Sequence, residues 1–414
     1  MPEFLKLIPP QEALDLLLDS FSQPSRVEDF ETESSLGRVT SLPIMAPHAL
    51  PSFMRSTVDG YAVIAADTHG ASETLPVYLS IIGEVPMGDA PGFQISATKC
   101  MGMHTGGMLP KGADAVIMLE DTQQVKPNEV EILCSVADGE NVLQIGEDVK
   151  SGQEVIPSGT RIRPAEVGGL MALGITRLQV RCKPKVGIIS SGDEVIPPGS
   201  NLSPGRVRDI NSYTLAALVE YAGGNSVRYG IIPDQLEAMI VSVSQALEEC
   251  DTAVITAGSS ASSRDLTAQV INELGDPGVL VHGVNVKPGK PTILGICEGK
   301  PVIGLPGNPV SALVIASLFV VPVVDMLLGV KISTPRPYVP ARITINIASI
   351  AGREDWVAVR LIKNEVISSN EYVVEPVFGK SNLIFTLARA DGLVRIPADV
   401  TGLNAGDLVE VFLL

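Results

Sequence analysis

Between Lys185 and Leu328 the sequence alternates short runs rich in β-branched residues with segments of helical periodicity. This alternation limits the fold more than any other feature, because repeated strand–helix units favour an open, mostly parallel sheet. The predicted elements are strands at 186–189, 227–231, 253–256 and 301–305, helices at 236–247, 266–274 and 309–328, and a helix between the Asn211–Ser212 cap and Gly223.

Residues that favour helix ends lie at several of these predicted boundaries. Asn211 or Ser212 is predicted to cap the first helix, because either side chain can accept a hydrogen bond from a first-turn amide. Asp234 and Glu237 have the spacing of a capping box for the second helix. Asn308 is predicted to cap the last helix, which a proline then opens.

The pattern changes on both sides of this region. Helical spacing extends to about Arg26, short β-rich runs broken by glycine and proline fill residues 42–144, and strand patterns return after about Lys331. The predicted fold class is therefore multidomain α/β plus β, with an open, mostly parallel α/β sheet domain and two small β-rich domains. The predicted domains are 1–41 with 146–180 (N-terminal helical and linker), 42–145 (β-rich), 181–330 (α/β) and 331–414 (C-terminal β-barrel).

The charge and aromatic content exclude nucleic acid as a partner. The chain has 47 acidic and 30 basic side chains, a formal net charge of −17, and only 4% aromatic residues. Proteins that follow nucleic acid need basic grooves and aromatic stacking platforms. We therefore expect no nucleic-acid partner.

We also expect a cytoplasmic protein without a membrane partner. Met1–Lys6 does not resemble the start of a secretory signal. The five cysteines are scattered without a C-x-x-C pair, which predicts reduced thiols and neither a disulfide framework nor a zinc site. Val310–Leu328 is apolar enough to span a membrane, but Pro322 and Asp325 interrupt it and no basic cluster flanks it. A helix buried between domains or subunits is the better interpretation.

Four polar or glycine-rich loops follow predicted strands, at 190–194, 257–265, 286–291 and 305–309. Ligands of open α/β sheets bind outside the carboxyl ends of the strands, and small residues there let backbone N–H groups approach an oxyanion. Lys287 and Lys290 add positive charge. Glu194, Asp234 and Asp265 supply oxygen ligands of the kind that magnesium prefers. Together the loops predict a magnesium and anion pocket.

Simpler interpretations of the same residues stay open. Asp234 would serve only as a helix cap, Lys287 and Lys290 as solvated loop lysines, and residues 306–309 as a rigid turn. No single loop identifies a site. The functional interpretation depends on all four loops meeting at one edge of the sheet.

Two further loops lie upstream, at 56–63 with Asp59 and at 103–107 with His104 and Thr105. Their chemistry alone predicts turns. His104 is one of only four histidines, but no second histidine or cysteine lies close in sequence, which argues against a metal role.

Several segments together resemble the MoeA and gephyrin E-domain type of molybdopterin molybdenumtransferase. They occur in the family's order from about residue 40 to 330, and the C-terminal region matches by position and strand pattern. The matching segments are 57–62, 104–106, 146–148, 157–160, 191–194, 208–212, 287–291 and 304–311.

The resemblance implies an elongated four-part subunit in a homodimer, with an active site shared between the α/β domain of one subunit and the second domain of the other. The implied reaction uses magnesium, converts adenylylated molybdopterin and molybdate to molybdenum cofactor, and releases AMP. Possible partners are a molybdopterin adenylyltransferase and molybdoenzymes. The implied catalytic residues are Asp59, Thr105, Glu194, Asp234 and Asp265, the last three also as metal ligands. The implied substrate-binding residues are Ser191, Gly192, Asp193, Gly258, Ser259, Ser260, Lys287, Gly289, Lys290, Pro306, Gly307, Asn308 and Pro309.

One loop departs from the family pattern. Where the family has a Gly-Gly-Val-Ser-Val/Met-Gly loop, this chain has Ala257–Ser262, so that two glycines are replaced. The loop motivates an alternative, a non-catalytic pterin- or oxyanion-binding or scaffolding paralogue with an altered Ala257–Asp265 segment. A third hypothesis is another nucleotide-dependent enzyme, such as a relative of nucleotide amidohydrolases, against which the Asp59 and Thr105 motifs argue.

Overall fold

The computed structural model describes residues 7–22, 26–257, 261–331, 336–363 and 372–414, and for 261–264 it describes the backbone only. The chain divides into two compact units. The first unit is 1–41 with 159–163 and 177–414, and the second unit is 42–158 with 164–176. The four-domain division of the sequence stays a prediction.

The N-terminal part of the first unit holds helix α1 (Pro10–Leu18) and strand β1 (Val27–Glu31). Helix α1 is therefore shorter than the helical spacing of the sequence suggested. Its Ala13 and Leu17 are fully buried in the main core of the first unit.

The second unit is rich in short strands, as its glycine- and proline-broken pattern predicted. Its elements are β2 (Ile44–Met45), β3 (Arg55–Ser56), β4 (Gly60–Val63), β5 (Val77–Glu84), β6 (Lys99–Met103), β7 (Ala115–Met118), β8 (Thr122–Lys126), β9 (Glu129–Ile132), β10 (Val142–Leu143), β11 (Glu154–Ile156) and α2 (Pro164–Ala172). Six strands form one sheet in the order β7-β4-β6-β5-β9-β8. This sheet places the turn after β6 beside the turn before β4.

The α/β part of the first unit follows β12 (Arg177–Arg181), which pairs with β1. Its elements are β13 (Lys185–Ser191), β14 (Val195–Ile196), β15 (Val207–Arg208), α3 (Asn211–Ala222), β16 (Asn225–Ile232), α4 (Leu236–Glu249), β17 (Thr252–Thr256), α5 (Ala261–Leu274), β18 (Gly278–His282), β19 (Val286–Lys287), β20 (Ile293–Cys297), β21 (Lys300–Leu305) and α6 (Pro309–Leu328).

Six of these strands form a mixed sheet in the order β16-β13-β17-β21-β20-β18. The pairings among β16, β13, β17 and β21 are parallel, whereas β20 runs antiparallel to both of its neighbours. The carboxyl ends of β13, β17 and β21 therefore meet at one edge. Their residues are almost all buried, as expected for parallel strands covered on both faces.

The predicted cap of α4 and the predicted start of α5 differ from the structure. Helix α4 begins after Gln235, and no side chain caps it, so the predicted capping box of Asp234 and Glu237 is wrong. The helix starts at Leu236 as predicted, but the extended residue Gln235 occupies the capping position in place of Asp234. Helix α5 begins at Ala261, five residues earlier than predicted.

Helix α6 is the apolar segment that the sequence assigned to the interior. It is the only helix in the described part of the chain that is long and apolar enough to span a membrane, with 61% of its most apolar window buried. Most of its side chains lie in the core of the first unit. Asp325 accepts a 2.7 Å hydrogen bond from Arg161, which explains how a carboxylate is accommodated in this helix.

The C-terminal part of the first unit contains β22 (Tyr338–Ile343), β23 (Ile347–Ala348), β24 (Glu354–Lys363), β25 (Tyr372–Pro376), α7 (Phe385–Ala388), β26 (Gly392–Ile396), β27 (Gly402–Leu403) and β28 (Leu408–Leu413). Strands β24, β25, β22, β28 and β26 pair successively, and β26 pairs back to β24. The five strands therefore close into a ring around an apolar centre. Strand β19 from the α/β part extends this sheet by pairing with β24.

All five cysteines carry free thiols, as the sequence predicted. Cys100, Cys250 and Cys297 are buried. Burial raises the pKa of Cys100 and that of Cys297 to about 12, so both stay protonated at neutral pH. These thiols serve as small apolar core residues.

Candidate active site

A cavity of about 420 Å³ opens at the carboxyl edge of the α/β sheet, where β13, β17 and β21 end. This is the edge at which open α/β sheets bind ligands. The cavity is lined by Ser190, Ser191, Glu194, Val195, Val207, Arg208, Asp209, Ile210, Asn211, Thr256, Ala257, Gly307, Asn308, Pro309 and Asn382. We call it the strand-end pocket.

Asp209 is the central acceptor of a hydrogen-bond network in the strand-end pocket. It is 6% exposed and accepts hydrogen bonds from Ser190 Oγ at 3.1 Å, from Ser212 Oγ at 2.6 Å and from the Ser212 amide at 3.1 Å. Thr256 Oγ1 extends this network to Ser190 Oγ at 3.4 Å. The network connects the end of β13, the end of β17 and the start of α3.

The same contacts correct the predicted cap of α3. Helix α3 begins at Asn211, and neither Asn211 nor Ser212 caps it through its side chain. Asp209 performs this role, because its carboxylate accepts the amide of Ser212 in the first turn. A carboxylate at a helix N-terminus also interacts favourably with the helix dipole.

Two polar atoms in the strand-end pocket have no hydrogen-bond partner in the described part of the chain. They are Ser191 Oγ and Asn211 Oδ1, in residues that are 3% and 8% exposed. The amide nitrogen of Asn211 donates to the carbonyl of Gly307 at 2.9 Å, so only its oxygen lacks a partner. Buried polar atoms of native proteins are normally paired, so these two atoms need a partner that the described residues do not supply, either an ordered water or a ligand group.

Five of the residues predicted from sequence line the strand-end pocket, namely Ser191, Glu194, Gly307, Asn308 and Pro309. Glu194 is brought there by the turn after β13. Gly192 has φ of +145°, and a Cβ at this position would lie 2.7 Å from Val195 Cγ2 and 3.0 Å from Glu194 Oε2. Glycine is therefore required for the turn that places the Glu194 carboxylate.

The other predicted carboxylates do not line this pocket. Asp193 Oδ1 accepts the Asp234 amide at 3.4 Å, which joins the two loops that carry them. Asp265 is exposed in the first turns of α5. The described residues contain no group of three or more His, Cys, Asp or Glu side chains spaced for a metal ion, so Glu194, Asp234 and Asp265 do not form a ready-made three-carboxylate site.

The lysine loop lies on strand β19 and the turn that follows it. Lys287 and Lys290 are exposed, and neither lines the strand-end pocket. Lys287 Nζ lies 3.9 Å from the buried carboxylate of Asp355 in β24. Pro306 is buried at the end of β21 and likewise does not line the pocket.

In the second unit, Asp59 and Thr105 bind each other beside a cavity of about 840 Å³. Asp59 Oδ1 accepts the Thr105 amide at 2.7 Å and the Thr105 hydroxyl at 3.1 Å. These two hydrogen bonds hold the pKa of Asp59 below its ordinary value, with a smaller contribution from His104. His104 also hydrogen-bonds to Glu84. The two upstream loops thus present one ionised carboxylate that its neighbour orients.

We expect the Thr105→Val variant to raise the pKa of Asp59 toward its ordinary value, because the hydroxyl bond is lost while the amide bond remains. The folded-state pKa is the lower one, so these contacts stabilise the fold above the ordinary carboxyl range and lose that effect as pH falls through the lowered pKa. Carbon-13 NMR titration of labelled aspartate measures the shift. An unchanged Asp59 titration in the variant would contradict the role of the hydroxyl.

Three protein-family models match the chain in order. They describe the MoeA N-terminal region (domain I and II) over residues 8–174, a probable molybdopterin binding domain over 187–326, and the MoeA C-terminal region (domain IV) over 340–414. A protein of Methanocaldococcus jannaschii is 36% identical over 427 residues, covering 99% of this chain and 98% of its own length. The chain belongs to the MoeA family.

Solved MoeA structures share the fold over the full length. Two crystal structures of a molybdopterin biosynthesis MoeA protein from Pyrococcus horikoshii cover 99% of this chain and 99% and 100% of their own chains. Their identities are 37% and 32%, with TM-scores of 0.78 and 0.84. The chain therefore has the multidomain MoeA fold, with a molybdopterin-binding type domain and β-rich domains.

Curated relatives within the MoeA family carry an enzyme name. A protein of Mycobacterium tuberculosis named molybdopterin molybdenumtransferase 2 is 32% identical, covering 91% of this chain and 92% of its own. A Nostoc protein named molybdopterin molybdenumtransferase is 30% identical, covering 91% and 86%. The resemblance predicted from the motifs is confirmed, and the match over 340–414 extends it to the C-terminal region.

Sequence reasoning missed six polar residues of the strand-end pocket as site residues, namely Ser190, Arg208, Asp209, Asn211, Thr256 and Asn382. Arg208, Asp209 and Asn211 lie in the MoeA-like segment 208–212, in which the sequence predicted only a helix cap at Asn211 or Ser212. The order Asp-x-Asn just before an apolar helix was the available signal. The predicted residues Gly258, Ser259 and Ser260 lie outside the described residues.

Proposed function

We propose that this chain is a magnesium-dependent molybdopterin molybdenumtransferase, which inserts molybdate into adenylylated molybdopterin and releases AMP. The observation that carries the proposal is the strand-end pocket. It combines the Glu194 carboxylate with the unpartnered Ser191 and Asn211 oxygens at the ligand-binding edge of a MoeA-type sheet. The enzyme names of the curated relatives support the same activity.

We assign roles to the residues of this chain according to their charge. The strand-end pocket has carboxylate and neutral oxygen groups on its floor and the Arg208 guanidinium in its lining. We assign Lys287 and Lys290 to the phosphates and molybdate, because exposed lysines attract such anions. Glu194 lines the pocket, so its carboxylate would lie next to a phosphoanhydride bound there.

The oxygen ligands of the pocket fit a magnesium ion whose coordination is completed by the bound substrate. Magnesium in proteins is commonly bound by one or two carboxylates together with substrate phosphates and water. Glu194 would hold it, with Asp234 and Asp265 as the further carboxylates that the family resemblance implies. When bound, the ion supplies a positive charge that stabilises the leaving phosphate.

The second unit would complete the site of a partner subunit. We propose a homodimer in which the oriented pair of Asp59 and Thr105 faces the strand-end pocket of the other copy. The support is the pair itself, an exposed carboxylate held ionised by two hydrogen bonds at the edge of its own cavity. We further propose a cytoplasmic enzyme that receives its substrate from a molybdopterin adenylyltransferase and passes its product to molybdoenzymes.

The test is AMP release by the purified chain with adenylylated molybdopterin, magnesium and molybdate. We expect AMP to form only when molybdate is present, with tungstate as a parallel arm. Pterin binding without any AMP release would instead indicate a non-catalytic binding or scaffolding protein.

A mixing experiment tests the shared active site. We expect Asp59→Ala and Glu194→Gln each to lose activity, and we expect a mixture of the two variants, unfolded and refolded together, to recover about a quarter of the original activity. Half of the subunits in a random mixture enter heterodimers, and each heterodimer holds one site with both groups intact. Absence of recovery, with dimers present by light scattering, would refute the shared site.

A further inference from the structure

Three titratable side chains lie in a row along the cavity of about 840 Å³ in the second unit. Asp59 precedes β4, Glu84 ends β5 and His104 follows β6. His104 Nε2 hydrogen-bonds to Glu84 Oε1, and His104 Nδ1 lies 3.9 Å from Asp59 Oδ1. Tyr61 is the other titratable residue in the described lining of this cavity. One imidazole therefore links two carboxylates that separate strands supply, and we call the three residues the Asp59–His104–Glu84 row.

An irregularity in β5 brings Glu84 next to His104. The register of β5 against β6 shifts between Ile81 and Glu84, so that Glu84 lies opposite Gly102. An extra residue in one strand re-aims the side chain that follows it, as happens beside many functional sites. A Cβ at Gly102 would lie 3.3 Å from Glu84 Cγ, so the glycine leaves the space in which the glutamate side chain lies along β6.

The turn after β6 holds His104 in place through its backbone. The Gly107 amide donates to the His104 carbonyl at 2.8 Å, and the Gly106 amide donates to the Ser56 carbonyl at 2.8 Å. The Ser56 amide donates in return to the Gly107 carbonyl at 3.0 Å. Gly106 has φ of +84°, a conformation that glycine adopts without strain. The imidazole is therefore attached to a turn that two hydrogen bonds connect to β3.

Glu84 determines which nitrogen of the imidazole faces Asp59. An ionised carboxylate accepts hydrogen bonds and donates none, so His104 Nε2 is the donor to Glu84. Nδ1 is thereby directed toward Asp59, at a distance that suits an ion pair and is too long for a hydrogen bond. A ring protonated on both nitrogens attracts the Asp59 carboxylate, whereas a ring without the Nδ1 proton presents a lone pair to it.

Within one subunit the row is open to water. The side chains of Asp59, His104 and Glu84 are 58%, 50% and 65% exposed. Ion pairs with this exposure contribute little to stability, so a purely structural role does not account for the row. The same pairs become stronger where water is excluded. The partner subunit of the proposed homodimer would exclude it, because Asp59 is then part of the shared site.

We propose that His104 is a positioning residue of the shared active site, which is held by Glu84 and orients the Asp59 carboxylate toward the pocket of the partner subunit. The inference rests on the proposed function and extends it to two residues that act through Asp59. Thr105 holds the same carboxylate from its other side. The orientation by His104 requires the Nδ1 proton, whereas the orientation by Thr105 does not.

The experiment measures kcat/KM for molybdate-dependent AMP release by the full-length chain and by His104→Gln between pH 5.5 and 8.5. An ordinary histidine changes its charge within this range. We expect the variant to be about fivefold less active at pH 6 and within about 1.5-fold of the original protein at pH 8.5, as for the loss of one exposed ion pair. The ratio of the two proteins cancels the titration of all other groups. Loss of a merely structural contact would lower activity by the same factor at every pH.

Two further variants separate the row from histidine content and from folding. Glu84→Gln keeps the shape of the side chain and removes its charge, so we expect about a twofold loss at pH 6. His69→Gln is the matched control, because His69 is an exposed histidine of the second unit that does not line the cavity. We expect its activity to match the original protein at every pH. All three variants should keep the original melting temperature, since the altered side chains are exposed.

Carbon-13 NMR titration of labelled aspartate in the ligand-free protein tests the contact independently of activity. The two hydrogen bonds from Thr105 hold the pKa of Asp59 below its ordinary value, and the charge of His104 lowers it further. We therefore expect His104→Gln to raise the pKa of Asp59, by less than Thr105→Val does. An unchanged Asp59 titration in His104→Gln would overturn the proposed contact.

The outcomes of the activity measurement are distinct. Unchanged kcat/KM in His104→Gln, or a loss of equal size at all pH values, would overturn the positioning role while the unaltered chain still releases AMP. Absence of AMP release from the unaltered chain would refute the proposed function and this role with it. Failure of the inference alone is therefore distinguishable from failure of the function on which it rests.

Discussion

The Glu194→Gln variant is expected to lose at least about 100-fold in kcat/KM for molybdate-dependent AMP release while keeping its fold. Glu194 is the predicted carboxylate that lines the strand-end pocket, and its turn is built around a glycine that a Cβ would obstruct. Glutamine has nearly the same shape and lacks the charge. Removal of one charge-stabilising group from an active site typically costs a factor of about 100–1,000.

The control for charge alone is Glu273→Gln, an exposed position on α5 that does not line the pocket. We expect its activity to stay within about twofold of the original protein. A loss of less than about fivefold in kcat/KM would show that Glu194 is not part of the catalytic machinery.

Gly289→Ala is expected to lower the free energy of unfolding of the first unit by about 3 kcal/mol. Gly289 lies between the two lysines of the lysine loop with φ of +111°, and a Cβ there would overlap Cγ1 and Cδ1 of Ile315 in α6. Overpacking costs about 1–3 kcal/mol and a left-handed alanine about 1–2 kcal/mol. Urea unfolding followed by the fluorescence of Trp356, the single tryptophan, measures the change.

Two further variants separate the two causes. Gly299 has φ of +73° and open space around its Cβ position, so Gly299→Ala should cost only about 1 kcal/mol. Shortening the obstructing side chain in the double variant Gly289→Ala with Ile315→Ala should cost at least about 1 kcal/mol less than the sum of the single variants. Strict additivity would contradict the overlap of the alanine Cβ with Ile315.

The α/β sheet and its pocket edge followed from the sequence because their determinants are local. Apolar runs identified the strands, helical periodicity identified the helices between them, and parallel order brought the strand ends to one edge. Ser191, Glu194 and Asn308 were therefore found from their positions just after strands. Helix α6 was assigned to the interior for a similar reason, since its proline and aspartate are unsuited to a lipid-facing segment.

The missed features depend on contacts between distant segments. Asp209 is separated from Ser190 by 19 positions, and nothing in either local sequence shows that they are hydrogen-bonded. The spacing of Asp234 and Glu237 matched a capping box, but the extended residue Gln235 occupies the capping position. Local patterns thus predict elements well and side-chain partners poorly.

The pairing of β19 with β24 has a consequence for how such proteins exchange parts during evolution. The short strand that carries Lys287 is encoded with the α/β segment but completes its hydrogen bonds in the C-terminal ring. Val310 at the start of α6 likewise donates its amide to the Ser381 carbonyl at 3.0 Å. A gene crossover near residue 331 would therefore separate two segments that contact each other, and chimaeras joined there should fold only when both sides come from close relatives. The C-terminal ring and the lysine loop are therefore expected to be inherited together and not to be interchangeable between distant relatives.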